Sequence, residues 1–246
     1  MGERPSAREP AASGGATRGP GGLLVVVALR EESRAVERAL RGHGATVLRT
    51  GIGQKLAQEK AARAIEANPP RRVIVAGFGG GLRPGIVAGD VVAASTVCEP
   101  SGQEWSAPAD LVELAASVRV PECRVVVGRL VTVEKVIATV AAKQALRAAT
   151  GADAVDMESS GVLRAAAARG IPVLCLRAIL DEAEFELPFD FGKILTPEGR
   201  PRILKALGAV TANPGNLARI LPLRRRALLA AERLEQVMAA LATRLP

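Results

Sequence analysis

Two carboxylates stand where an α/β chain usually keeps its ligands. Glu158 follows Ala154-Val155-Asp156-Met157, and Asp181 ends Leu176-Arg177-Ala178-Ile179-Leu180, so each closes a hydrophobic stretch of strand character. The carboxyl edge of a parallel sheet is where connecting loops leave a crevice, so side chains there face a ligand. A further acidic pair, Glu31-Glu32, leaves the first hydrophobic run after Leu29-Arg30. Each residue also has a plainer explanation. Acidic groups suit the first turn of a helix through the macrodipole, which accounts for Glu31, Glu32 and Glu158, and an aspartate at a strand end can simply form a turn, which accounts for Asp181. Gly77-Phe78-Gly79-Gly80-Gly81-Leu82 lets backbone approach a ligand closely, or forms a tight turn. It is neither a dinucleotide fingerprint nor a phosphate loop, since Leu82 replaces the last required glycine and no Gly-Lys-Ser/Thr follows.

Other chemistries are disfavoured. The single histidine, His43, follows Arg41-Gly42 in a turn-like context, which argues against serine-histidine and histidine-metal chemistry. Cys98, Cys123 and Cys175 are far apart in apolar contexts and read as reduced core thiols, not as a disulfide scaffold or zinc knuckle. No metal is expected.

The elements that must hold these residues alternate. Strand-like apolar runs occur at 23–29, 45–48, 73–76, 91–97, 124–131, 152–155 and 173–179, and helical patterns at 31–41, 54–67, 109–118, 140–149, 157–169, 201–209 and from 217 or 223 to 243. Alternation of this kind predicts a single-domain, three-layer α/β/α fold around a mixed, mostly parallel sheet. Asn68-Pro69-Pro70 and Gly170-Ile171-Pro172 end two of the helices. Of 246 residues, 48% are hydrophobic and 2% aromatic, so the core must be aliphatic. Residues 1–21 are expected to be a disordered leader, 22–210 the catalytic domain, and 211–246 a basic helical extension packed on or beside it. Residues 200–246 carry +7 of the +8 formal charge. The extension reads as a solvated helix packed on the domain, or as a peripheral contact with an anionic membrane; scarce aromatic residues disfavour nucleic acid. No run approaches the ~18 apolar residues of a spanning helix and no secretory signal is evident, so a cytoplasmic protein is expected. The connection at 187–194 is a candidate lid.

Taken in order, Ala28-Leu29-Arg30-Glu31-Glu32, Thr50-Gly51-Ile52-Gly53, Gly77 to Leu82, Gly89-Asp90-Val91-Val92, Val155-Asp156-Met157-Glu158 and Arg177 to Asp181 resemble the nucleoside phosphorylase and nucleosidase superfamily. Ile137-Ala138-Thr139-Val140-Ala141-Ala142-Lys143, Ala148-Ala149-Thr150-Gly151, Pro197-Glu198-Gly199-Arg200 and Asn213-Pro214-Gly215-Asn216-Leu217 look most like its hopanoid-associated branch. The resemblance implies cleavage of the N-glycosidic bond of an adenine nucleoside, in that branch the lipid nucleoside adenosylhopane. It gives Asp181 the role of acid at purine N7, Glu158 that of acceptor for the ribose hydroxyls, and Met157 that of packing on the sugar. Glu32 would activate water; Phe78, Gly79 and Arg177 would bind substrate, Arg177 having structural pairing with a carboxylate as its alternative. Many phosphorylases of the superfamily use arginine in this first loop to hold the anion, and Glu31 and Glu32 would repel one, so hydrolysis is expected ahead of phosphorolysis, with Arg30 or Arg34 as groups able to offset the repulsion. Phosphate would be a co-substrate only in the second case, and no cofactor is implied. A non-catalytic nucleoside-binding protein on the same fold is a third reading. Two departures stand out: Phe78 replaces a common serine, and Leu180 replaces a serine beside the acid, where an apolar neighbour should raise the pKa of Asp181. A homo-oligomer is expected by similarity.

Overall fold

A computed structural model describes residues 22–187 and 215–245, with the side chains of 215–221 left aside. The expected leader, the 201–209 helix and most of the candidate lid lie outside the described residues.

Among the described residues eight strands and six helices follow one another as β1 (Leu23–Val27), α1 (Arg30–Ala39), β2 (Thr46–Arg49), α2 (Gln54–Ala67), β3 (Arg72–Gly81), β4 (Val91–Cys98), β5 (Glu104–Ser106), α3 (Ala109–Ala116), β6 (Val125–Thr132), α4 (Val140–Thr150), β7 (Ala154–Asp156), α5 (Ser159–Ala167), β8 (Val173–Asp181) and α6 (Gly215–Ala242). The strands run β2-β1-β3-β7-β6-β4-β5, and β8 joins β3 to β4 from the other side. Five strands, β3, β7, β6, β4 and β8, therefore close a hydrogen-bonded ring, with β1, β2 and β5 extending it. β1 with β2 and β3, β3 with β8, and β6 with β4 and β7 are parallel pairs; β7 on β3, β5 on β4 and β8 on β4 are antiparallel.

Period-two burial separates the layers. Val25, Val27, Ile74, Ala76, Leu174, Leu176 and Ala178 face one core, completed by α1, α3 and α6. Leu24, Val26, Val73, Val75, Val173, Cys175 and Ile179 face the other, completed by α2 and α5. Successive strand side chains point to opposite faces, so β-branched runs with no polar alternation are what a sheet covered on both sides requires. The two helices of this second layer meet closely at Gly161 of α5, where a Cβ would stand 2.1 Å from the carbonyl oxygen of Gln54 on α2.

Three sequence expectations change. Gly77 to Gly81 belong to β3, not to a turn. β5, three residues on a sheet edge, carries no periodic signal. The basic C-terminal helix is core: Ala230, Leu234, Val237, Met238 and Leu241 are fully buried against α1 and the sheet. At about 1.5–3 kcal/mol for each large side chain, the four largest contribute roughly 6–12 kcal/mol as an upper estimate. Its arginines divide: Arg226 pairs with Glu182, Arg233 pairs with Glu122 and donates to the carbonyl of Pro121, and Arg224 and Arg225 are exposed.

Candidate active site

The first turn of α1, the glycine-rich end of β3, the β7–α5 junction and the end of β8 converge on a cavity of about 400 Å³, within the size range of small-molecule sites. Its wall includes Glu32, Phe78, Gly79, Met157, Glu158 and Asp181, so six of the seven expected site residues meet there. Val133, Val136, Ile137, Leu180, Leu187, Leu223 and Ala227 make the rest of the wall largely apolar.

Glu32 is 2% exposed. Its Oε2 accepts the backbone N–H groups of Ala28 and Leu29, each at 2.8 Å, and its Oε1 accepts that of Phe78 at 2.8 Å. Burial raises its pKa, while Arg177 and these three amides pull the other way. The glycine run explains how a carboxylate fits there. A Cβ on Gly77 would lie 2.4 Å from Nη1 of Arg177 and 2.8 Å from Oε1 of Glu32, so β3 is stripped of side chains to admit these two groups.

Glu158 is placed by the β7–α5 junction, where Asp156 supplies the first turn with an acceptor for the Ser159 amide at 2.9 Å. Its Oε1 accepts the Gly53 N–H at 3.0 Å, and its Oε2 lies 3.8 Å from Nη2 of Arg177. Burial pushes its pKa up to about 8; Arg177 opposes this, and the nearby charges of Asp156 and Glu32 add to it.

Arg177, expected to touch substrate, does not line the cavity. It is 1% exposed, ion-paired with Asp156, and donates to Oγ of Ser159 at 2.9 Å. The structural alternative holds: one guanidinium sits behind Asp156, Glu158 and Glu32 as their shared counter-charge. Asp156, which accepts the Thr132 hydroxyl at 2.7 Å and also lines the cavity, ties Arg177 to the β7–α5 junction, a contact that sequence reasoning passed over.

Asp181 reaches the cavity through an irregularity. Ile179 pairs with Gly79 but Asp181 pairs with Gly80, so β8 spends two residues where β3 spends one. A bulge of this kind re-aims side chains, and Leu180 and Asp181 both line the cavity. Strict period-two alternation, which would put 177, 179 and 181 on one face, is therefore broken. Burial raises the Asp181 pKa, as an apolar setting should, but a cation that sequence reasoning missed opposes it: Lys143 of α4 ion-pairs with Oδ2. Its signal was faint, a lone lysine in Ala141-Ala142-Lys143-Gln144-Ala145 that reads as a solvated helix face.

His43 is exposed, and Cys98 and Cys175 are buried free thiols with Cys123 half-buried. Among the described residues no group of three or more His, Cys, Asp or Glu is arranged to hold a metal ion, and no helix is long and apolar enough to cross a membrane.

Solved structures share the fold. The 5′-methylthioadenosine/S-adenosylhomocysteine nucleosidase of Neisseria meningitidis, in complex with methylthio-immucillin-A, superposes with a TM-score of 0.70 at 17% identity, covering 91% of this chain and 99% of that one. The nucleosidase of the same name from Helicobacter pylori superposes with a TM-score of 0.70 at 15% identity, covering 93% and 100%. In sequence, the futalosine hydrolase of Streptomyces coelicolor is 31% identical over 241 residues, covering 81% of this chain and 96% of the relative. The model of the phosphorylase superfamily matches residues 28–196, a span that runs from the first turn before α1 past Asp181 and takes in every residue of the acidic cluster. With more than half of its length matched by that model, this chain belongs to the phosphorylase superfamily.

Proposed function

We propose that this protein cleaves the N-glycosidic bond of a purine nucleoside by hydrolysis. The observation that carries the reading is the convergence of Glu32, Glu158 and Asp181, from three distant parts of the chain, on one cavity whose remaining wall is apolar. Breaking the bond between C1′ and N9 sends the electron pair to the base and leaves a cationic sugar. Asp181 gives its proton to N7, so the base leaves neutral. Glu158, which holds its proton up to about pH 8 in the free chain, accepts the ribose hydroxyls and in its ionised form sets negative charge beside the oxocarbenium ion. Glu32, held by three amides, takes a proton from the water that adds to C1′.

Water is favoured over phosphate by charge. The guanidinium nearest to Glu32 and Glu158 is already paired with Asp156 and does not line the cavity, so a phosphate at C1′ would face carboxylates without it. The names of the relatives, a hydrolase and nucleosidases, agree with this. One observation favours phosphorolysis as a second reading: Lys135 and Arg224 also line the cavity. The base is proposed to be adenine and the substrate a lipid nucleoside of the adenosylhopane type, supported by the aliphatic wall of Val136, Ile137, Leu180, Leu187 and Leu223.

Base release from adenosine, 5′-methylthioadenosine, inosine and an adenosine with a long aliphatic 5′ substituent, each with and without phosphate, tests all of this. Phosphate-independent release, fastest with the aliphatic substituent, is the expected result. Strict dependence on phosphate overturns hydrolysis, and tight binding without release from any substrate overturns catalysis.

A further inference from the structure

α4 buries one side chain, and it is a lysine. Lys143 is fully buried, and its three ammonium hydrogens have three acceptors: Oδ2 of Asp181 and the carbonyls of Glu182, at 2.6 Å, and Phe185, at 3.0 Å. An ammonium donates three hydrogen bonds and accepts none, so this cage matches the charged form. Lys143 does not line the cavity, whereas Asp181 does. Among the described residues Oδ1 of Asp181 has no hydrogen-bond partner, so the two carboxyl oxygens are unlike: one is tied to the protein and the other is left to the cavity.

We propose that Lys143 is a positioning residue for the acid, fixing Oδ2 of Asp181 so that Oδ1 meets the base, and supplying the charge that stabilises the carboxylate left when the proton moves to N7. The inference rests on the hydrolytic reading for its consequence, but the pairing itself concerns Asp181 alone. Proton transfer to N7 converts a neutral acid into an anion in a buried setting, which is costly unless a counter-charge is already in place. Lys143 provides one that needs no rearrangement. Among the described residues the other charged groups beside Asp181 are Glu182, which follows it on the chain, and Arg226 of α6. Those two are ion-paired with each other, and Arg226 also lies over the ring of Phe185, whose carbonyl closes the lysine cage.

Removing the ammonium takes away the main opposition to burial, so the Asp181 carboxyl keeps its proton to higher pH and becomes a weaker acid. Lys143→Met should lower kcat on a purine nucleoside on the order of 100-fold with KM nearly unchanged, and move the alkaline limb of the pH profile upward by about one pH unit or more. Cleavage of a 4-nitrophenyl riboside, whose leaving group needs no proton, should change by less than about 3-fold. Lys143→Gln keeps N–H donors without the charge and guards against a variant that fails to fold; it should shift the same limb in the same direction. Infrared difference titration of the free protein against Asp181→Asn reads the Asp181 carboxyl directly, without turnover. Its protonation midpoint should rise in both Lys143 variants. An unchanged midpoint, or equal losses on the purine and nitrophenyl substrates, overturns the proposal. An unmodified protein that releases no base, with the midpoint shift intact, removes the hydrolytic reading and keeps the Lys143–Asp181 coupling.

Discussion

Glu158→Gln should make the protein more stable while disabling it, and the gain should depend on pH. The folded chain holds the Glu158 proton up to about 8, whereas an unfolded chain releases it near 4.5. A carboxyl group raised in this way contributes its full stability below about pH 4.5 and loses it as pH rises through 8, because folding above that pH buries an anion. The buried neighbours worsen the loss: Asp156 and Glu32 add negative charge, and one guanidinium, that of Arg177, serves all three. Glutamine has no proton to release and its carbonyl can still accept the Gly53 N–H. The difference in unfolding free energy between variant and parent should therefore grow by about 1.4 kcal/mol per pH unit from about pH 5 to 8 and then level off. The interval from 4.5 to about 8 sets a ceiling near 5 kcal/mol. Some relaxation of the side chain toward the cavity reduces this, so about 2–4 kcal/mol is expected at pH 9 and close to zero at pH 5. Urea unfolding of both proteins at pH 5, 6.5, 8 and 9 measures it, and turnover at each pH checks that ribose recognition has gone. A difference that is flat with pH, or that shrinks as pH rises, refutes the picture of a neutral buried Glu158.

Asp181→Asn should lower kcat on a purine nucleoside by about 100- to 10,000-fold, the span of general acid catalysis, while calorimetry still detects binding of the free base. Gly161→Ala drives a methyl into the Gln54 carbonyl, a backbone atom that cannot swing away. Thermal unfolding should record a loss near 3 kcal/mol, on the order of 6–10 °C in Tm, with kcat of the folded fraction unchanged. Among the described side chains of α6, the exposed Arg224 and Arg225 and Leu228, which is 61% exposed, are those that the proposed contact with an anionic surface would use. Vesicle flotation should weaken for Arg224→Glu with Arg225→Glu in one chain; equal flotation removes the membrane contact. Truncating the chain before α6 cannot serve as this test, because it deletes a wall of the core.

What the sequence revealed depended on whether a contact is written in local periodicity. The parallel strands were legible because both faces of each are buried, which leaves unbroken apolar runs such as 23–27 and 173–176. The glycine end of β3 was not, since glycine carries no strand propensity and its role there is to make room for Arg177 and Glu32. β5 was too short for a pattern. Glu32, Glu158 and Asp181 were recoverable because their flanking segments resemble a known family in order. Lys143 was hidden because its partner lies 38 residues away and the rest of α4 looks solvated. Arg177 shows the same limit from the other side: its position on β8 was evident, but whether it faced substrate or Asp156 depends on Gly77 and Gly79 opposite it.

The acidic cluster is an arrangement that folding alone would not select. Glu32, Asp156 and Glu158 share one guanidinium in a buried setting, and neutral residues of similar size would remove that conflict. The cost is offset by elements remote from the chemistry: the closed ring of strands, the Gly161 contact that seats α5 against α2, and α6, which seals the opposite core. Asp181 is treated differently, with a lysine of its own. That asymmetry suits the two kinds of work. Carboxylates facing a developing cation gain from excess negative charge, because the deficit is relieved as the sugar becomes positive in the transition state. An acid must end the step as an anion, so its counter-charge has to be in place beforehand. On the proposed hydrolytic reading, one arginine among three carboxyl groups at the sugar end and one lysine for one carboxyl group at the base end is a distribution that favours heterolysis of a nucleoside.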